Sequence, residues 1–352
     1  MKTTRAAGKR GWIFLIVLLL LLLINQIPLP YYYAQPGEAT GLHEVINVEN
    51  AIEDQGEFYL TTIRQRRANI PLYLWAQVSQ YRTVTPTDSF LMEGETDEEY
   101  FHRQDMMMES SQEASKIVAY QKADKEYNVD YLGIRVSEVI QGMDAEHHLK
   151  EGDLIQELDG ESLQTLEEMN ELLADKEAGE EVELTLTRDG ETLTETISID
   201  NFPEEMDDSG RAGLGLLYPY TYRDITFNPE VAIEAGAIGG PSAGLMFSLE
   251  IYNQLLDEDV TRGQNIAGTG SIDEEGNVGR IGGIKQKIVA ADKSGVDVFF
   301  APDDEQASPS NYEQAMEAAE DIDTDMKVVP VKTFDDAVEF LDSKMSAVKT
   351  KN

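Results

Sequence analysis

Two glycine-rich segments near the C-terminus carry the residues that could do chemistry. Residues 236–245, GAIGGPSAGL, place Ser242 where a glycine turn enters an apolar helical pattern. Residues 279–287, GRIGGIKQK, place Lys285 at the opening of a second helical pattern. A serine hydroxyl becomes an effective nucleophile only when a neighbouring group removes its proton. The sequence therefore predicts a nucleophilic serine, and the identity of its base has to be found.

Histidine is excluded as that base in the usual arrangement. Residues 240–244, GPSAG, match the G-x-S-x-G nucleophile elbow of α/β-hydrolases, whose triad runs serine, acid, histidine along the chain. The four histidines are at positions 43, 102, 147 and 148, so all of them precede Ser242. The chain has no cysteine, which excludes thiolate catalysis and cysteine-bound zinc.

Carboxylates and lysine are the remaining candidates, and serine–lysine pairs are an established solution. A lysine base must be neutral, so its ordinary pKa of about 10.4 has to be lowered by burial or by nearby positive potential. Lys285 opens a helix, whose N-terminal end is positive. Four apolar residues flank it: Ile281, Ile284, Ile288 and Val289. We therefore predict Ser242 as nucleophile and Lys285 as base, with free amides at the glycine turn before Ser242 forming an oxyanion hole.

These segments resemble the proteolytic domain of Lon peptidases over roughly residues 213–342. The family's G-P-S-A-G motif is matched by residues 240–244 and its G-G-x-K-x-K motif by residues 282–287. The resemblance implies that Ser242 is the nucleophile, Lys285 the general base and Lys287 a non-catalytic companion. It also implies that Thr269 hydrogen-bonds near the lysine, and that Gly240 and Pro241 support the nucleophile.

Residues 130–200 show a different pattern of predicted elements: a strand, a second strand that Gly-Asp precedes, a helix and a hairpin around residues 188–190. This order resembles a PDZ domain, most strongly at residues 152–160. The resemblance implies that a peptide adds as a strand beside a carboxylate-binding loop containing Leu132, Gly133 and Ile134. Two interpretations stay open, because the module could bind a ligand or could only space and regulate the catalytic domain.

The N-terminus carries an uninterrupted apolar run from Trp12 to Ile24. Four basic residues precede the run and no acidic ones do, which predicts a single membrane span with the N-terminus in the cytoplasm and the rest outside. Tyr31, Tyr32 and Tyr33 would then lie at the lipid interface. The alternative is a signal peptide cut after Ala34, which the bulky Tyr32 disfavours.

Charge narrows the class of partners. Residues 1–37 hold four of the 28 basic side chains, so the remainder carries 24 against 67 acidic ones, a net of −43. Such a surface is expected to repel nucleic acid and anionic lipid. It would attract cationic peptides, or it would simply be a solvated surface suited to a salty or alkaline exterior.

The sequence thus predicts a multidomain α+β protein: a cytoplasmic tail (1–10), a transmembrane helix (11–33), an N-terminal extracellular region (34–128), a β-rich PDZ-like module (129–202) and a Lon-type α/β proteolytic domain (203–345). Within the extracellular region, residues 58–63 and 70–76 are predicted strands.

No P-loop motif occurs, so an ATPase module, usual in Lon peptidases, is not expected. This layout is similar to ATP-independent membrane peptidases of Gram-positive bacteria, relatives of which trim secreted signalling peptides or remove cell-division inhibitors. The expected function is an endopeptidase for peptides or small proteins outside the cell, without metal or cofactor, and with homo-oligomerisation open. The rivals are a non-catalytic PDZ adaptor that presents peptides to a partner, and a structural membrane scaffold.

Overall fold

The computed structural model describes residues 12, 15–16, 19, 22, 25–52, 55–92, 95–203, 211–236, 238–304 and 308–349. The chain forms two compact units. The main unit joins residues 1–126 to residues 228–352, and the inserted unit consists of residues 127–227. Most of the expected regions 34–128 and 203–345 thus lie together in the main unit, and the expected region 129–202 lies within the inserted unit.

The main unit is built on a six-stranded sheet. Three of its strands precede the inserted unit: β1 (Pro28–Gly41), β3 (Glu57–Asn69) and β4 (Thr83–Pro86). The other three follow it: β16 (Asn265–Gly268), β19 (Val298–Pro302) and β20 (Lys327–Val331). The order across the sheet is β20-β19-β16-β3-β1-β4, with β4 at one edge. Parallel pairing of β3 with β16, Tyr59 opposite Ala267, joins the two halves.

Helices cover both faces of this sheet. Successive residues of a strand point to opposite faces. Ala267 shares a buried cluster with α6 (Ile284–Lys293) and α7 (Asn311–Asp321). Its neighbour Gly268 faces α5 (Gly244–Leu255), where an added Cβ would lie 2.6 Å from the sulfur of Met246. Strand β16 thus runs between the two helices that follow the glycine-rich segments.

Other elements of the main unit surround this frame. The 26-residue helix α2 (Asp97–Lys122) begins with a capping box between Thr96 and Glu99 and packs against α5. The short helix α1 (Ile70–Ala76) follows β3, and α8 (Phe334–Lys349) follows β20. The short strands are β2 (Ile46–Val48), β15 (Val231–Ile233), β17 (Ser271–Ile272) and β18 (Val278–Gly279).

Residues 70–76 form a helix where a strand was predicted. Pro71 stands in the first helical turn, where its missing N–H costs nothing. The Asn69 side chain accepts from Leu72 N at 3.0 Å and caps the helix. The Asn-x-Pro start therefore outweighs the apolar strand pattern that follows it.

The inserted unit is built on a sheet of five main strands: β5 (Glu126–Arg135), β7 (Leu154–Leu158), β9 (Glu181–Arg188), β10 (Glu191–Ser198) and β14 (Tyr220–Asn228). Their order across the sheet is β10-β9-β7-β5-β14, and the short strand β8 (Glu161–Ser162) pairs with β7. The predicted hairpin is confirmed, because β9 and β10 pair around Asp189 and Gly190, both at positive φ. The predicted helix is confirmed as α4 (Leu166–Leu173). Strand β14 completes the sheet, so the unit extends well beyond residue 202.

Smaller elements complete the inserted unit. The four-residue helix α3 (Ala145–His148) precedes β7. Strand β6 (Glu138–Val139) pairs with β13 (Leu216–Leu217), and β11 (Asp200–Asn201) pairs with β12 (Ala212–Gly213).

The predicted membrane span falls mostly on residues outside those described. Among the described residues, no helix has the length and hydropathy needed to cross a bilayer. Its predicted C-terminal end is wrong, because β1 already begins at Pro28 and buries Tyr32 and Tyr33 within the main unit. These two tyrosines pack in a protein core and do not form an interfacial belt.

Candidate active site

Ser242 is held at a backbone corner that only glycine permits. Gly240 has φ 81°, and a Cβ there would lie 2.9 Å from Oε1 of Gln104. A short 3-10 turn, Pro241–Ala243, follows and leads directly into α5. The carbonyl of Ser242 accepts from Gly270 N at 3.0 Å and from Thr269 Oγ1 at 2.9 Å. The main chain of Ser242 is thereby fixed to the end of β16.

Helix α2 buttresses the same turn from the other side. Ser111 Oγ donates to the Pro241 carbonyl at 3.0 Å, and Ser115 Oγ donates to the Gly244 carbonyl at 2.9 Å. A Cβ on Gly244 would lie 2.7 Å from Ser111 Oγ. The small residues of the GPSAG segment therefore let α2 approach the nucleophile closely.

Lys287 is the lysine that meets Ser242. Its Nζ donates at 2.9 Å to each of three acceptors: Ser242 Oγ, Thr269 Oγ1 and the Thr61 carbonyl. An ammonium has three protons to donate, so each has a partner. None of the three acceptors is charged. The side chain is buried, at 3% exposed.

This environment favours a neutral amine. Burial lowers the pKa of Lys287 to about 7, because removal from water penalises the ammonium form. No carboxylate is among its three hydrogen-bond partners to offset that penalty. Near pH 7 a large fraction of Lys287 is therefore available to accept a proton.

The predicted position of the base is wrong. Lys285 Nζ donates to Oε2 of Glu317, on α7, at 2.6 Å, and its side chain is partly exposed. Residues two positions apart on an α-helix are rotated by about 200°, so Lys285 and Lys287 lie on nearly opposite faces. The lysine expected to be a non-catalytic companion is the one at the serine, and the expected base belongs to a solvent-exposed ion pair.

The helix pattern could have distinguished the two lysines. Ile284, Ile288 and Ala291 are buried in one stripe at the i, i+4, i+7 spacing. Lys287 lies three residues after Ile284, on that stripe, whereas Lys285 lies beside it. The role of Thr61 had no such signal, since it contributes a main-chain carbonyl that any residue supplies.

Of the other residues predicted for the site, Thr269 contacts the lysine, whereas the amide of Gly240 is already hydrogen-bonded elsewhere. The structure places Thr269 in the site, bonded to Lys287 and not to Lys285. The N–H of Gly240 donates to the Gln104 carbonyl at 3.0 Å. This amide, assigned by sequence to an oxyanion hole, is therefore engaged by α2 in this arrangement.

The inserted unit has a groove of ≈ 660 Å³ between α4 and the segment 211–219. Its lining includes Leu166, Met169, Leu173, Leu216 and Leu217. Gly213, Leu214 and Leu216 line one wall, in a glycine-rich run whose Gly215 has φ 78°. This run was not predicted to belong to the PDZ-like module, because it lies beyond the predicted boundary at residue 202.

The predicted peptide-binding loop does not line this groove. Ile134 is buried in the core and pairs with Ile155 on β7. A Cβ on Gly133 would lie 2.2 Å from the Ile155 carbonyl, so this glycine serves strand packing. Leu132 is partly exposed and is not among the lining residues. The three residues predicted to bind a peptide, Leu132, Gly133 and Ile134, therefore lie outside the lining of this groove.

A domain of serine-peptidase class is present in this chain. Residues 222–342 match the Lon protease (S16) C-terminal proteolytic domain, and residues 106–199 match the PDZ domain. The chain thus carries a Lon-type proteolytic domain and a PDZ domain. The boundaries of the two units differ from those of the two matches. The PDZ match begins within α2 of the main unit and ends before the inserted unit does, at residue 227, and residues 28–126 add to the main unit beyond the Lon match.

Relatives show the same likeness over a limited length. The Lon protease of Metamycoplasma arthritidis (strain 158L3-1) is 34% identical over 113 residues, 32% of this chain and 12% of that protein. The Lon protease of Rickettsia bellii (strain RML369-C) is 31% identical over 133 residues, 37% of this chain and 16% of that protein. This chain therefore spans less than a fifth of the length of these relatives.

Among solved structures, the PDZ domain of an SdrC-like protein from Listeria monocytogenes is 25% identical. The match covers 25% of this chain and 90% of the Listeria chain, with a TM-score of 0.23.

Proposed function

We propose that this protein is an ATP-independent serine endopeptidase in which Ser242 is the nucleophile and Lys287 the general base. The observation that carries the proposal is the 2.9 Å contact between Lys287 Nζ and Ser242 Oγ at a buried lysine without a charged partner. A non-catalytic adaptor has no use for a buried lysine, because an unpaired cation in a core costs stability.

Hydrogen bonds to Thr269 and Thr61 orient the Lys287 amine towards Ser242. The Thr269 hydroxyl donates its own proton to the Ser242 carbonyl, so towards Lys287 it acts as an acceptor. The Thr61 carbonyl is an acceptor as well. A neutral amine has two protons, which these two groups receive, and its lone pair then faces Ser242 Oγ.

The reaction follows from that orientation. Lys287 takes the proton of Ser242 as Oγ bonds to the substrate carbonyl carbon, and the carbonyl π electrons move to oxygen. When the tetrahedral intermediate collapses, the C–N bond breaks and Lys287 returns the proton to the leaving amine. Water then attacks the acyl carbon while Lys287 accepts one of its protons. When the second tetrahedral intermediate collapses, the bond between that carbon and Oγ breaks, Lys287 returns the proton to Oγ, and the acid product leaves.

The groove of the inserted unit supports a peptide as ligand. Its apolar lining and its position between a helix and a strand suit an extended peptide that adds beside the strand. We propose that it selects peptides or small proteins for cleavage. We further propose that the N-terminal apolar run anchors the protein in the membrane with both units outside, so that substrates are extracellular or membrane-associated.

The test is direct digestion. Purified full-length chain in mild detergent is incubated with a diverse peptide pool, with and without ATP, and new termini are mapped by mass spectrometry. We expect internal cuts that are independent of ATP and absent from a Ser242→Ala control, which removes a single oxygen. Cuts that persist in the Ser242→Ala protein, or no cuts at all, contradict the proposal.

A further inference from the structure

Helix α1 has an outer face that is as apolar as its inner face. Inward, Leu72 and Ala76 are buried in a cluster with Tyr33 and Ala68. Outward, Pro71, Leu74 and Trp75 lie on the helix, and Val78 in the turn that follows continues their spacing of i, i+3, i+4, i+7. Leu74 is 61% exposed, Trp75 50% and Val78 83%. A short helix that is apolar all round is normally covered on both sides. We call the outward four residues the α1 stripe.

The α1 stripe lies beside the end of the N-terminal apolar run. Strands β1 and β3 pair with Pro28 opposite Asn69, the residue that caps α1. The Asn69 amide donates to the carbonyl of Asn25 at 3.0 Å and to its side-chain oxygen at 2.9 Å. Asn25 directly follows the run that ends at Ile24. Helix α1 therefore starts where the chain would leave a bilayer.

The charge around the α1 stripe differs from the rest of the chain. Residues 58–87 contain four arginines and no acidic residue, although the whole chain has a net charge of −39. Arg64 pairs with Glu38 and Arg67 with Asp97, whereas Arg66 is exposed. The Arg82 guanidinium lies 4.2 Å from the centre of the Trp75 ring. The acidic excess that would repel anionic lipid is thus absent from this segment.

We propose that the α1 stripe is a lipid-contact site that inserts into the boundary between headgroups and acyl chains. Leu74 and Val78 would enter the acyl region, and the Trp75 indole suits the interface, where a ring with one polar edge is stabilised. Arg66 and Arg82 would face lipid phosphates. This inference rests on the proposed membrane anchor and gives the main unit a second point of attachment.

A second copy of the chain is a poorer occupant. Four side chains are few beside the roughly 20–30 residues per partner of a stable protein interface. A bilayer needs no shape complementarity, and the two hydrogen bonds to Asn25 bring the stripe to the end of the apolar run.

The experiment uses Trp75 as its own probe. The only other tryptophan is Trp12, so Trp12→Phe full-length chain reports on Trp75 alone. The protein is reconstituted into phosphatidylcholine–phosphatidylglycerol vesicles, with or without bromine on the acyl chains. We expect bromolipid to reduce Trp75 fluorescence by about half, since interfacial helices bury their apolar face by about 5–10 Å.

A matched probe is placed at the other end of the β1–β3 hairpin. Ile52 is exposed and lies beyond the Gly41–Tyr59 end. At about 3.3 Å per residue, the 13-residue strand β3 separates it from α1 by about 40 Å. In a Trp12→Phe, Trp75→Phe background, Ile52→Trp should therefore be unquenched. Leu74→Ser with Val78→Ser should lower quenching of Trp75 at least twofold.

Several results overturn the proposal. They are failure of the protein to float with vesicles, flotation without quenching of Trp75, and equal quenching at position 52. An unquenched Trp75 whose oligomer dissociates on the Leu74→Ser, Val78→Ser change would assign the stripe to self-association. Cleavage of a short soluble peptide, measured on the same samples, should be unchanged by the stripe variants. Failure of lipid contact is thereby distinguished from failure of the proposed peptidase activity.

Discussion

Lys287 Nζ lies 2.9 Å from Ser242 Oγ. Each of these residues follows closely after a glycine at positive φ in its segment: Gly240 precedes Ser242, and Gly283 precedes Lys287. The two segments lie at the end of β16, where Thr269 touches both partners. The chemistry of the site therefore depends on the protonation state of a single buried amine, that of Lys287.

Helix α6 carries two lysines, Lys285 and Lys287, and substituting each in turn gives a matched pair of variants. Lys287→Ala removes the proposed base and should reduce kcat/KM for a short peptide by about 10²- to 10⁴-fold. Lys287→Arg should be equally damaging, because a guanidinium keeps its proton. Lys285→Ala breaks only the exposed pair with Glu317 and should retain most activity. An inactive Lys285→Ala protein beside an active Lys287→Ala protein would return the base to the position expected from sequence.

The rate should follow the titration of Lys287. Its neutral form accepts the serine proton, and its pKa is lowered to about 7 by burial. Activity on a peptide without ionisable groups should therefore rise between about pH 6 and pH 8 and reach a plateau above that range. Measurement of kcat/KM against pH tests this. A profile that is flat from pH 6 to 8, or that falls as pH rises, is incompatible with a lysine base of this pKa.

The same burial predicts a stability cost. Between the folded pKa of about 7 and the ordinary value of about 10.4, the unfolded chain binds more protons at this lysine than the folded chain. The Lys287 contribution to the free energy of unfolding therefore increases with pH across that window. Lys287→Met removes the buried amine and should raise the Tm at pH 7 while abolishing activity. Calorimetry of the unchanged and Lys287→Met proteins at several pH values measures the difference in Tm. This difference should shrink towards pH 10. A difference that does not change with pH would contradict the linkage.

Gly244 of the GPSAG segment and Gly282 of the GGIKQK segment should differ in how well they tolerate replacement by alanine. A Cβ on Gly244 would meet Ser111 Oγ at 2.7 Å and Ile272 at 2.9 Å, whereas nothing lies within 4 Å of one on Gly282. Gly244→Ala should therefore cost roughly 1–3 kcal/mol of unfolding free energy through overpacking against α2. Gly282→Ala is the control and should change stability little. Chemical denaturation of both variants measures the difference, and equal losses would remove close packing as the reason for glycine at position 244.

The sequence supports the class of chemistry better than the geometry of the site. The GPSAG segment correctly points to Ser242 at a glycine turn before a helix, because a turn of this kind is written locally. The choice between Lys285 and Lys287 depends on which face of α6 meets β16, a tertiary fact that only the spacing of Ile284 and Ile288 hints at. The contribution of residues 28–126 to the main unit could not be read locally, since the pairing of β3 with β16 joins strands about 200 residues apart.

The groove of the inserted unit should govern larger substrates. Leu217 lines it and is partly buried, so Leu217→Asp should place a charge in the apolar groove while the fold persists. We expect KM for an unstructured protein such as β-casein to rise about tenfold, equivalent to about 1.4 kcal/mol, with cleavage of a short fluorogenic peptide unchanged. Leu132→Asp, at a partly exposed site away from the groove lining, is the control and should leave both unchanged. Loss of activity on both substrates in the Leu217→Asp protein, at unaltered Tm, would show that residues 211–219 act on catalysis itself and not on substrate selection.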